Sequence, residues 1–216
     1  MRRLAPIAPL LLVGVACAHL PELTPFAEDG KAVAEKCRSA FPHQPWRATH
    51  TIFATLPFGA HGALVGVTAV DPGGLRAVLL SPEGISLFDG LQNNRNPLDP
   101  KLRVDRAVPP FDRPAFAAGL MADVGHAFLP PAGEPTVVGR DRSGATVCRW
   151  IPERGDSTDV QLGPDGPRAI RTFNRTRLSR EISLLGTPTQ GLFPLVILSV
   201  PGTGGYGLEM RLVDHE

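Results

Sequence analysis

The sequence predicts a mainly β fold with two or three helices, built as one strongly curled antiparallel sheet of about eleven strands. Three observations predict it. The chain of 216 residues holds 23 glycines and 23 prolines with only 6% aromatic residues, a composition of many short elements separated by turns. Hydrophobic alternation with a period of two recurs from Trp46 onward, broken by one long stretch of helical period. The breaks between alternating runs, such as Asp71-Pro72-Gly73-Gly74 and Ser81-Pro82-Glu83-Gly84, are too short for the crossover that parallel neighbours need, so consecutive strands pair antiparallel. A sheet of that size curls or closes rather than staying flat.

Residues 1–16 read as a secretion signal: Arg2 and Arg3 precede an apolar run, and small residues precede Cys17. The stretch from Leu10 to Ala18 resembles a lipoprotein signal peptide, with Gly14 where that pattern has Leu, Val or Ile. The resemblance implies that Cys17 is lipidated, with palmitate-type acyl chains, and becomes the mature N-terminus. Ala18 in place of an aspartate resembles the signal for transfer to the outer membrane, on its periplasmic face. The other reading is an ordinary cleaved signal with an incidental cysteine. Cleavage removes two of the 22 basic residues and none of the 21 acidic ones, leaving a formal charge of −1. That balance argues against a nucleic-acid partner, which requires a basic stripe. No later apolar run reaches the roughly 18 residues of a membrane-spanning helix, so attachment rests on the lipid.

Residues 17–27, with two prolines and no period, read as a tether, and 28–216 as a single domain. Glu28 to Phe41 has helical spacing, with Asp29 as cap and Val33, Cys37, Ala40 and Phe41 on one side. Cys37 and Cys148 remain once Cys17 is set aside, and in an oxidising compartment such a pair forms a disulfide or stays as two buried thiols.

Strands follow at 47–56, 63–70, 75–80 and 85–91, a meander. Residues 92–110, polar and proline-containing, suit a surface excursion. Asp112 then offers an N-cap, and Phe116, Leu120, Val124 and Phe128 step by four along a helix that Pro130 and Pro131 stop. That stripe is either ordinary core packing or a lid over an apolar cavity. Seven further strands lie at 137–140, 145–151, 160–162, 169–178, 181–185, 194–200 and 206–213.

The run Gly163 to Ile170, the run Gly191 to Leu198 and Tyr206-Gly207-Leu208-Glu209-Met210 together resemble the closing strands of the LolA and LolB lipoprotein-carrier fold. The similarity of element order covers residues 28 to 214, and Leu80 to Phe88 and Leu120 to Val124 also resemble LolB-like bacterial lipoproteins. The resemblance implies a curved, incomplete antiparallel barrel under a helical lid, whose hollow holds acyl chains. The turn Ser81 to Gly84 is too short to form the apolar protrusion by which LolB delivers its clients.

Sequence signals of catalysis are few. Gly202 to Gly207 spells G-x-G-x-x-G, yet only nine residues follow, which leaves no room for the helix of a dinucleotide site. Histidines 19, 43, 50, 61, 126 and 215 have no ligand-like spacing, and neither a metal nor a cofactor is expected. The expectation is therefore a monomeric, non-catalytic outer-membrane lipoprotein that binds an acyl chain or lipoprotein client between Phe53 of the sheet and Phe116, Leu120, Val124 and Phe128 of the lid. Strong curling, the small residues Ala117, Ala118 and Gly119, and the scarcity of aromatics favour such a cavity. The alternative is a structural or assembly-factor lipoprotein with a packed core and a protein partner.

Overall fold

A computed structural model describes residues 20–26, 30–43, 45–56, 59–93, 101–202 and 204–216. The signal segment, Cys17 and the expected cap Asp29 lie outside the described residues. The elements are β1 (Thr24–Pro25), α1 (Gly30–Arg38), β2 (Trp46–Thr55), β3 (His61–Asp71), β4 (Gly74–Leu80), β5 (Ser86–Asn93), β6 (Lys101–Ala107), α2 (Pro114–Phe128), β7 (Val137–Arg140), β8 (Thr146–Trp150), β9 (Ser157–Gly163), β10 (Gly166–Asn174), β11 (Arg177–Leu185), β12 (Leu195–Val200) and β13 (Tyr206–His215).

The 13 strands form one sheet in the order β1-β7-β8-β9-β10-β11-β12-β13-β2-β3-β4-β5-β6. From β2 the chain meanders outward to β6, crosses through α2 to the opposite end beside β1, and meanders back until β13 pairs with β2, setting Met210 opposite Ile52. The sheet is an open antiparallel one, curved rather than closed, and α2, which joins strands at its two ends, lies on the inner face, where Met121 and Phe128 share the core with Ile52, Leu79 and Phe88. This is the mainly β, helix-covered incomplete barrel that the sequence predicts.

Two strands exceed the expected count of about eleven, and each has a physical reason. The pair Thr24–Pro25, inside the segment read as a tether, is too short for periodicity to show, yet it bonds to Gly139 and Arg140. The strand Lys101–Ala107, inside the expected excursion, is an edge strand whose exposed charges mask its alternation, a common defence of an unpaired edge. The hairpin between β10 and β11 also turns earlier than expected. Arg175 takes a left-handed φ of 56° there, and Arg171 meets Glu181 across the ladder at 2.7 Å. Arg113, not Asp112, precedes α2, and Pro114 starts it, a position where a missing N–H costs nothing.

The inner face of the sheet is set by strict alternation. In β2, Ala48, His50, Ile52 and Ala54 are buried, so Phe53 points the other way and is 48% exposed. The expected place of Phe53 in the cavity is thus corrected: the inner residues of this strand are the ones opposite it in the pleat. Phe128 packs between Trp46 and His50, with ring centroids 5.4 Å from each. A disulfide joins Cys37 of α1 to Cys148 of β8, the third strand from one end of the sheet. On the outer face, Arg149 makes two 2.6 Å bonds to Asp159, both buried, and Nη1 of Arg149 donates to the Pro21 carbonyl at 2.7 Å. The N-terminal segment is held against the sheet by this pair.

Candidate functional site

On α2, Ala118, Ala122 and Gly125 follow one another at helical spacing and continue into Leu129, so one side of the helix is a stripe of small residues. Small side chains leave space, and this side borders a solvent-connected cavity of about 880 Å³. Pro130, Pro131 and Ala132 extend the same wall beyond the helix. Trp150, Ile151 and Pro152 at the end of β8 form the facing wall, with Asp156 and Thr158 from the start of β9. Phe41 also lines it, while Gln92 of β5 and Leu102 of β6 come from the far end of the strand order. One cavity touched by β5, β6, β8 and β9 means that the two ends of the sheet curl toward each other, and the cavity lies where they approach. Its size and its mostly apolar walls with a few polar groups are those of a small-molecule or lipid site.

Two of the polar groups have defined surroundings. Nδ1 of His126 lies 2.6 Å from the Ala122 carbonyl, which can only accept, so Nδ1 carries the proton and Nε2 is left as an acceptor. Burial lowers the pKa of His126, which keeps it neutral near pH 7. Asp156 accepts a bond from the Asn174 amide at 3.1 Å and lies 3.6 Å from Nη1 of Arg180.

Behind this end of the cavity sits a buried polar cluster. Asp123 of α2, 2% exposed, is ion-paired with Arg180 of β11 and accepts a hydrogen bond from the Tyr206 hydroxyl of β13. Burial pushes its carboxyl up, and the Arg180 guanidinium pulls it back toward the ionised form. The partners of Asp123 lie 57 and 83 residues away and leave no local signal in the sequence.

None of the five residues expected in the cavity lines it. Leu120 and Val124 are half-buried against the core and Phe128 is fully inside it. Phe116 is 41% exposed and stands edge-on to Phe111, with centroids 5.3 Å apart. Bulky residues on α2 fill the space beneath them, and the cavity opens on the adjacent side where Ala118, Ala122 and Gly125 fill little. The small-residue spacing was the signal that could have located it.

The glycine-rich run near the C-terminus is a hairpin turn between β12 and β13, in which the Gly205 N–H donates to the Gly202 carbonyl at 2.9 Å. His50 faces inward and His61 is exposed, so the two do not meet. Among the described residues no group of three or more His, Cys, Asp or Glu could hold a metal ion. No helix among them is long and apolar enough to cross a membrane.

The sequence matches no protein-family model and no curated protein. Solved structures do match. A LolA superfamily protein from Nitrosomonas europaea aligns with a TM-score of 0.56 at 10% identity, over 88% of this chain and 94% of that one. A domain from Vibrio parahaemolyticus named for outer-membrane lipoprotein sorting gives 0.51 at 10% identity over 86% and 90%. A DUF1329 family protein from Desulfovibrio piger gives 0.55 at 8% identity over 86% and 90%. At such identities the likeness is one of fold.

Proposed function

We propose, on the premise of this LolA/LolB-like fold, that the chain is an outer-membrane-anchored lipoprotein that holds an acyl chain or a lipidated client without transforming it. The observation that carries the reading is the cavity of about 880 Å³ between the small-residue side of α2 and the approaching ends of the sheet. Leu102, Leu129, Pro130, Pro131, Trp150 and Ile151 offer an apolar surface of a kind that favours hydrocarbon over water. The anchor is Cys17, carrying palmitate-type chains at the periplasmic face, and the protein acts as a monomer. His126 and Asp156 hold the polar end of the guest, and no chemistry is assigned to them.

The packing of α2 favours a second reading. Met121 and Phe128 are fully buried against the sheet, so the space directly beneath the helix is solid, as in a structural or assembly-factor lipoprotein whose partner is a protein. The carrier reading stands on the flank of α2 alone.

Mass spectrometry of protein purified gently from membranes tests it. The expected result is about one non-covalent acyl species per chain, released on denaturation, in addition to the covalent lipid on Cys17. A Cys17→Ser variant is expected in the soluble periplasmic fraction with the non-covalent guest retained. Wild-type protein that carries no guest and takes up no apolar probe would remove the carrier reading in favour of the second.

A further inference from the structure

Among the described residues, the ionisable side chains lining the cavity are Glu134, Asp156 and His126, and no described lysine or arginine lines it. An acyl carrier built for free fatty acids would be expected to place a cation where the carboxylate ends. Here the guanidinium paired with Asp156, that of Arg180, is shared with Asp123, two carboxylates against one positive charge. Glu134 is offset by Arg38 at 2.9 Å, whereas Asp156 shares Arg180 with Asp123, so the excess negative charge of these groups falls on that pair of carboxylates, of which Asp156 lines the cavity. In the same cavity, Nε2 of His126 accepts rather than donates, since Nδ1 is committed to the Ala122 carbonyl. The aromatic residues Trp150 and Phe41 line the same cavity, and ring faces attract a cation as a carboxylate does.

We propose that this cavity selects an amphiphile whose polar end is a protonated amine, held by Asp156 and His126, and that it discriminates against an acyl chain ending in a carboxylate. The inference rests on the carrier reading and specifies its ligand class. A protonated amine supplies the donors and the positive charge that the polar end lacks. A carboxylate entering there meets Asp156 with no lysine or arginine among the described lining residues to offset the repulsion, and loses its water without replacement.

Displacement of the neutral fluorescent probe N-phenyl-1-naphthylamine from the mature chain at pH 7.5 tests this, using dodecylamine, dodecanol and dodecanoate below their micellar concentrations. Dodecylamine is expected to displace the probe at a concentration about tenfold below dodecanol, with dodecanoate weaker than both. Asp156→Asn, a change of charge at constant volume, is expected to bring the ratio of amine to alcohol toward one. The ratio is taken within each protein, so a loss of folded fraction does not imitate the effect. Dodecanoate competing as well as dodecylamine, or an amine preference unchanged in Asp156→Asn, overturns the amine assignment while leaving the carrier reading intact. If the probe fails to bind, or none of the three amphiphiles displaces it, the carrier reading falls and the assignment falls with it.

Discussion

His50 lies inside the sheet beside Phe128 with no hydrogen-bond partner for Nε2, and burial lowers its pKa to about 4. Above the ordinary histidine pKa of about 6.5 the ring is neutral in both states, folded and unfolded. As pH falls below that value the unfolded chain takes up a proton that the folded chain refuses until about 4, so stability is lost through this window. Between pH 7.5 and pH 5 the loss should be about 2 kcal/mol, and urea unfolding of a His50→Leu variant should show a flatter acid dependence than wild type. An identical acid loss in that variant would assign the effect elsewhere. Asp123 is the second residue on which the fold leans. Asp123→Ala leaves Arg180 partly buried and without its main partner, and should cost about 3 kcal/mol in urea unfolding, against about 1 kcal/mol for Tyr206→Phe. Equal losses in the two variants would mean that the charge is not the important component.

Among the elements, α1 is the one most dependent on a single link. Nine residues are too few for an independently stable helix, and Cys37–Cys148 closes a separation of 111 residues. The double variant Cys37→Ala/Cys148→Ala should be less stable by about 4 kcal/mol, and hydrogen exchange should accelerate in α1 before it does in β2 to β5. Uniform acceleration across the sheet would show that the bond supports the whole domain rather than the helix. Elements were legible where local pattern and burial agree: β2 to β5 alternate cleanly between short breaks, and α2 combines helical spacing with a proline stop. They were hidden where a single strand's chemistry is decided by its place at an edge, as with the charged β6, or where two residues suffice, as with β1. The site was half legible. The helix was visible, but its bulky residues point to the core by the same rule that makes them conspicuous, and the cavity falls where the side chains are small. Arg180 and Asp123 belong to no common motif, and pairing between distant segments cannot be read from either segment alone.

The molecule as a whole gets its hollow from topology: α2 links the far ends of an open sheet, and those ends approach each other around a space that neither fills. Ala122→Trp should place an indole in that space, removing the binding of N-phenyl-1-naphthylamine with stability changed by no more than about 1 kcal/mol. Retained probe binding would put the uptake site elsewhere, for example beside the N-terminal segment, where a second cavity of about 850 Å³ is lined by Leu20, Leu23 and Val137. That segment also sets the geometry of any attachment to a bilayer. Pro21 is fastened by Arg149 and Thr24–Pro25 is paired with β7, so the chain is held against the sheet from Pro21 onward. If Cys17 carries the lipid as proposed, it lies four positions before that fixed point, so the domain would ride close to the headgroups and whatever it exchanges would have to be brought to it.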